Sequence, residues 1–199
     1  MTGSAEPTAD RPDGTPAPRR SPVWLDAVTT LSRWVPPDAG QERLRADYLE
    51  ALADDAAVFK AGPPVHLTAS CIVLDHRSER VLLTLHTKAR TWLQFGGHIE
   101  GTDATLHAAA RREVLEESGI GDIEVDPRVV ELHRHPLGPR FGRCAEHLDV
   151  RFAGWAPRGA EPERSEESLD VRWWAVGALP AEVVSDLGTL IGRARALPR

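Results

Sequence analysis

The sequence predicts an α+β fold built on a mixed β-sheet, and three observations carry that expectation. Apolar runs of β character, such as "HLTASCIVLD" and "RVLLTLH", lie close together with short polar loops between them. Segments with apolar residues at three- and four-residue spacing stand before, between and after these runs. Strands and helices do not alternate regularly, which argues for a mixed-sheet sandwich rather than a doubly wound parallel sheet. No segment of the 199 residues repeats another.

Taken in chain order, residues 1–22 are Pro, Ala, Gly, Ser and Arg without apolar periodicity, and are expected to form a disordered tail. Residues 23–60 form an N-terminal helical appendage of one short and one longer helix. Leu44, Tyr48, Leu49, Leu52 and Ala56 supply its apolar stripe, and "PPDAG" (Pro36 to Gly40) separates the two helices. Residues 61–199 form the main domain. Its first two strands are joined by the hairpin loop "HRSER", and "WLQF" is a short strand ending at Gly96-Gly97. A helix follows from Ala104 to Ser118, with Asp103 as N-cap and Gly119 just past its end. Strands return at "VVELHRH", "EHLDVRFAGW" and "VRWWAV", where the adjacent Trp173 and Trp174 face opposite ways. Pro180 opens a last helix carrying Val183, Val184, Leu187, Leu190 and Ile191.

Composition excludes several classes. A formal net charge of −6 argues against a general nucleic-acid or membrane binder. No apolar run approaches the roughly 20 residues of a membrane span, and the N-terminal stretch lacks the apolar core of a signal peptide. Two cysteines, Cys71 and Cys144, are too few for a disulfide framework and fit a reducing compartment. Cys71 lies in an apolar strand and reads as an inert buried thiol. A cytoplasmic location is expected.

The segment that breaks local rules is "RREVLEESGI". Glu113, Glu116 and Glu117 stand at i, i+3 and i+4 and so share one helical face. Like charges at that spacing destabilise a helix by roughly 0.2–0.5 kcal/mol per pair. The helix dipole adds a similar penalty for carboxylates in the last turn. Arg111 and Arg112 offset part of this, and Leu106, Ala109, Ala110, Val114 and Leu115 supply the buried side. A solvated acidic face would need no further explanation. A hard divalent cation with oxygen ligands would remove the conflict, and the two glycines upstream let the backbone approach a ligand closely.

From Gly97 to Ile120 the chain resembles the signature of the Nudix hydrolase family, G-x5-E-x7-R-E-U-x-E-E-x-G-U, where U is a bulky aliphatic residue. Arg112, Glu113, Val114, Glu116, Glu117, Gly119 and Ile120 fill its second half. Asp103 stands in place of the first Glu, and eight residues rather than seven separate it from Arg112. The resemblance spans about His66 to Pro180. It implies a Nudix α/β/α sandwich that binds Mg²⁺, with Mn²⁺ as a substitute, at Glu113, Glu116 and Glu117, with Gly97 bringing the backbone alongside. It also implies hydrolysis of a nucleoside diphosphate linked to another moiety, a small-molecule nucleotide-type substrate, in a protein of a kind that is often a homodimer.

Such a reaction needs a carboxylate to take a proton from water. Glu116 is the helix candidate for that base, and Glu166, Glu167 and Glu146 are the loop candidates. Arg112 is expected to orient a motif carboxylate, Glu100 or Asp103. His98, Lys88, Arg90 and Trp92 are candidate substrate contacts, and Arg140, Phe141 and Arg143 share a later loop with the same capacity to hold phosphate and stack a base. His133, His135 and His147 read as surface or hydrogen-bonded histidines rather than a transition-metal site. Two other function classes fit less well. A non-catalytic Nudix-fold binding or regulatory module would be free to lose motif carboxylates, and this chain retains all three. An isomerase resembling the isopentenyl diphosphate isomerases would need a catalytic cysteine in a motif that neither Cys71 nor Cys144 occupies.

Overall fold

The computed structural model describes residues 20–198, so residues 1–19 of the expected tail lie outside the described residues. Helix α1 (Pro22–Arg33) starts at Ser21, whose hydroxyl accepts the Trp24 N–H, with proline at its first position. Helix α2 (Ala39–Ala51) is capped by Asp38, which accepts the Gln41 N–H at 2.9 Å. The "PPDAG" separator is therefore split. Its prolines and Asp38 stop one helix and cap the next, and Ala39-Gly40 belong to the first turn. Ala56 falls in a separate 3-10 turn (Asp55–Val58), not in the longer helix.

Eight strands form one sheet among the described residues: β1 (Val65–Leu74), β2 (Arg80–His86), β3 (Trp92–Leu93), β4 (Phe95–His98), β5 (Glu124–Val125), β6 (Glu131–Pro136), β7 (Glu146–Trp155) and β8 (Ser168–Ala175). The β1–β7 pair is parallel along its whole length, and the remaining strand pairs are antiparallel. β4 runs through both glycines instead of stopping at them. A side chain at Gly96 would come within 2.3 Å of the Ser70 Cβ, so this strand can lie on β1 only with glycine there.

Helix α3 (Leu106–Ser118) and helix α4 (Leu187–Arg195) cover opposite faces. Leu67, Ala69 and Val73 of β1 pack with α1 and α3, whereas Ile72 and Leu74 pack with Leu187, Leu190 and Ile191 of α4. This is the α/β/α sandwich, with its period-2 alternation also sending Trp173 to the first face and Trp174 to the second. The last helix does not begin at Pro180. Residues 182–184 instead line the edge of β3, where the Trp92 N–H donates to the Glu182 carbonyl at 2.8 Å and the Val184 N–H to the Trp92 carbonyl at 3.2 Å. Two β-branched valines beside an open strand edge favour pairing over helix. Among the described residues no helix is long and apolar enough to cross a membrane.

The appendage closes another edge. The Gln41 side chain both donates to the Leu132 carbonyl (3.0 Å) and accepts the Leu132 N–H (2.7 Å), acting as one more rung beside β6. The Tyr48 hydroxyl donates to the His133 carbonyl at 2.9 Å. Removing the amide in Gln41→Ala leaves a buried backbone donor and acceptor unpaired, at about 1–3 kcal/mol each. Chemical denaturation should show a loss of at least about 2 kcal/mol, and an unchanged midpoint would show that water replaces the glutamine.

Candidate active site

The C-terminal half of α3 places its carboxylates against the backbone of β4. Thr105, not Asp103, caps the helix, its hydroxyl accepting the Ala108 N–H at 2.9 Å, and Gly119 ends it in the left-handed region (φ 70°). Leu106, Ala109, Ala110 and Val114 face the core. Glu117 is buried at 6% exposure, and one of its carboxylate oxygens has no hydrogen-bond partner. Glu113 is so close to β4 that a Cβ at Gly97 would sit 2.8 Å from its carboxylate oxygen. Glu116 is exposed and bonded to Arg112 at 3.0 Å. Burial, only partly offset by Arg112, pushes the Glu113 carboxyl up to about 7. Burial and the Glu113 charge push Glu117 up to about 8, against an opposing hydrogen bond from the Gly96 N–H.

Arg112 organises the site. It grips both oxygens of Asp103 (3.2 and 2.9 Å), and also donates to Glu113 (2.9 Å) and the His98 carbonyl (2.9 Å). The second Asp103 oxygen further accepts the Glu100 N–H at 2.8 Å. Asp103 fails as N-cap because its carboxylate is committed to these partners. The shorter side chain and the extra residue before Arg112 still deliver a bidentate pair. Arg112 thus orients through Asp103, and Glu100 contributes only its backbone.

An open cavity of about 650 Å³ adjoins β4, lined by Lys60, Lys88, His98, Arg140, Phe141, Arg143 and Cys144 among others. Two of the sequence-predicted contacts, Lys88 and His98, line it. Arg90 does not. It is an exposed turn residue at φ 57°, its N–H bonded to the His86 carbonyl. Nor does Trp92, which is buried edge-on to Trp174 in the α4-side core. Glu166 and Glu167 are exposed on the loop before β8, and the charge of Glu167 contributes to raising both Glu113 and Glu117. Glu146 begins β7, paired with Arg134 at 2.8 Å. His133 and His135 stack on each other along β6, and His135 in turn packs against His147. Burial and Lys60 lower His98 to about 4, and burial and His98 lower His147 to about 3, so both rings are neutral. Sequence reasoning passed over Lys60, and gave His66 and Cys144 no place at the site. The β1–β7 register sets His66 opposite His147, and the loop before β7 brings Cys144 beside them.

The NUDIX domain model matches residues 64–191, well over half of the 199-residue chain. The chain belongs to the NUDIX family. Its R-E-U-x-E-E-x-G-U core, Arg112 to Ile120, is complete. No curated protein matches it in sequence. Among solved structures it is similar to a dihydroneopterin triphosphate pyrophosphohydrolase of E. coli (20% identity, 65% of this chain and 93% of that one, TM-score 0.53). It is also similar to a NUDIX-family hydrolase of Clostridium perfringens (20%, 65% and 93%, TM-score 0.52). A third similar structure is a C. elegans Ap4A hydrolase (14%, 65% and 96%, TM-score 0.51). At these identities the likeness is one of fold.

The raised carboxyls give the metal-free protein a distinctive pH dependence. Below about pH 4.5 Glu113 and Glu117 are protonated in the folded and unfolded chain alike, and neither costs stability. As pH rises the unfolded chain ionises first, so stability falls until the folded groups titrate at about 7 and about 8. A tenfold difference in proton affinity between the folded and unfolded chain is worth about 1.4 kcal/mol, so the loss is on the order of a few kcal/mol. Asp149 and Asp186, whose carboxyls are lowered against the cost of burial by Arg151, act in the opposite sense but only at lower pH. His98 and His147, lowered to about 4 and about 3, act in the opposite sense until the unfolded imidazoles lose their protons near pH 6.5. Melting of the metal-free protein should therefore decline between about pH 6.5 and about pH 8, and Glu117→Gln should flatten that decline. A wild-type curve level across this range would show that the carboxylates are already compensated.

Proposed function

We propose that this chain is a divalent-metal-dependent hydrolase that cleaves the diphosphate bond of a nucleoside diphosphate linked to another moiety. The observation that carries the reading is the buried, partly unpartnered carboxylate of Glu117 beside the half-buried one of Glu113, both pressed on the Gly96-Gly97 backbone, with Glu116 next to them. Like charges held out of water need a counter-charge, and an all-oxygen donor set fits Mg²⁺ or Mn²⁺ rather than a softer ion. Glu113, Glu116 and Glu117, with the Gly97 backbone, would hold that cation, which supplies charge neutralisation at phosphoryl oxygens and a more acidic water. The names of the E. coli and C. elegans neighbours, a triphosphate pyrophosphohydrolase and an Ap4A hydrolase, support a small phosphorylated substrate.

The chain's own residues divide the remaining work. Arg112 is a positioning residue, fixing the helix carboxylates against strand and loop. Lys60, Lys88, Arg140 and Arg143 in the adjoining cavity offer cationic partners for phosphates, and Phe141 offers a stacking face. Glu116, open to solvent on the helix, and Glu167, whose charge reaches the buried pair, are the proton acceptors this arrangement favours. Glu167 is preferred to Glu146, which is committed to Arg134.

A screen of nucleotide diphosphate substrates with Mg²⁺ and Mn²⁺ tests the reading. Hydrolysis should require the cation, and Glu117→Gln should lower turnover by about 10²–10³, the scale of losing one electrostatic contact to a transition state. The same variant should be slightly more stable than wild type without metal, because it removes a buried repulsion. Lys88→Ala should raise KM more than it lowers kcat. Full activity in chelator, or a wild-type rate in Glu117→Gln, would overturn the assignment.

A further inference from the structure

We propose that His66, His98, Cys144 and His147 form a second cation site, four-coordinate and selective for a borderline ion of the Zn²⁺ type, which fastens the cavity-lining loop 137–145 to the sheet. One ligand atom from each of the four lies within 4.8 Å of all the others. A tetrahedral ion with Zn–N and Zn–S bonds of about 2.0 and 2.3 Å separates its ligands by about 3.3–3.8 Å. Cys144 Sγ already stands 3.7 Å from His98 Nε2, and closing the remaining gaps is a side-chain adjustment.

Two further observations point to a ligand. His66 is fully buried, yet its Nε2 has no hydrogen-bond partner, and the buried Nε2 of His147 has none either. Such orphaned polar atoms are costly unless something binds them. The His66 ring is also fixed in the ligating tautomer. Its Nδ1 lies 2.9 Å from the Pro63 carbonyl, which can only accept, so the proton is on Nδ1 and the lone pair on Nε2. A metal-bound histidine is commonly held by this backbone contact.

The backbone builds the site from separate elements. Parallel pairing of β1 with β7 sets His66 opposite His147, and antiparallel pairing of β1 with β4 sets His98 opposite Thr68, one step along the same face. The three imidazole centroids lie 4.9–5.3 Å apart. Cys144 arrives from the loop, where the Ala145 N–H donates to the Pro64 carbonyl at 2.9 Å. Nitrogen and sulfur donors separate this site chemically from the all-oxygen carboxylate site across the sheet. Lys60 and Lys88 lie near enough to repel a cation, and the Cys144 thiol, which releases its proton to solvent and binds as the thiolate, offsets that charge. Cys144 is the one ligand from a loop that also carries Arg140, Phe141 and Arg143, so the ion would set the position of the cavity wall.

Cobalt(II) is the probe. The full-length protein is stripped with chelator and titrated with Co²⁺ under excess Mg²⁺, which occupies the carboxylate site. The expected result is one equivalent of Co²⁺ with a thiolate-to-cobalt charge-transfer band and the intense visible bands of four-coordinate cobalt. Cys144→Ser should abolish the charge-transfer band and weaken affinity by about 100-fold or more, since even outer partners of a ligand are worth about 10–100-fold. His147→Gln should weaken affinity similarly, and Glu117→Gln should leave the spectrum unchanged. Trypsin should cut at Arg140 and Arg143 faster in the stripped protein than in the Zn²⁺-loaded one, and Cys144→Ser should lose that protection. Circular dichroism melting confirms that the variants are folded. A weak six-coordinate spectrum without charge transfer, or a charge-transfer band that survives Cys144→Ser, would overturn the site.

Discussion

One guanidinium holds the site together. Arg112 bonds to the β4 backbone at His98, to both oxygens of Asp103 in the loop, and to Glu113 and Glu116 on the helix. Strand, loop and helix are thereby fixed to one rigid planar group that cannot lose its charge. A lysine could reach one of these partners but could not present five donors in a plane. The contact also sets the electrostatics. Arg112 satisfies Glu113 on one side only, and it does not reach Glu117, so the pair is kept close without being neutralised. Relaxing that pair would require the helix to lift from β4, which Leu106, Ala109, Ala110 and Val114 resist from the core.

The adjacent residues Gly97 and His98 divide two chemistries by the alternation of a strand. Gly97 meets the carboxylates on the α3 face, whereas His98 points into the cluster of imidazoles and thiol on the other. That second face is polar well beyond the cluster. Arg151, 3% exposed, bonds to Asp149 at 3.0 Å and Glu131 at 2.9 Å and also reaches Asp186, while Arg193 of α4 bonds to Glu131 and to Asp38 at the start of α2. Removing one partner from such a buried network leaves an uncompensated charge, which is why these pairs are found complete. The network ties α4 and the appendage to the same strands that carry His147, so the appendage belongs to the architecture of the site's far wall.

The sequence disclosed what is local. β2 and β7 fall where their apolar patterns place them, Gly119 takes the left-handed position, and the acidic face of α3 announced itself by violating helix rules. What it hid depends on partners distant in the chain. Asp103 has every local mark of an N-cap, but Arg112, nine residues on, takes its carboxylate and Thr105 caps the helix instead. Val183 and Val184 carry an apolar pattern that suits helix or strand, and the open edge of β3 decides between them. Gln41 has no marker that it will complete a sheet edge. Trp92 fits an aromatic platform until Trp174 and α4 enclose it. His66 and Cys144 carry no signal of their own until a parallel strand pairing and a loop bring them together.

The charge conflict at the end of α3 also fixes how proton and cation must compete. With Glu117 held at about 8 and Glu113 at about 7, the metal-free site near neutral pH keeps at least part of its charge masked by protons. A cation that takes those oxygens must displace the protons, so binding releases them, and its apparent affinity grows with pH until the carboxyls are ionised without help. Beyond about pH 8 the proton no longer competes, and the full repulsion between the buried carboxylates then favours the cation. A site built from exposed glutamates with ordinary carboxyls would show none of this dependence above about pH 5. The burial that destabilises the metal-free helix is therefore the same property that would make the proposed affinity for a divalent ion respond to proton concentration near neutrality.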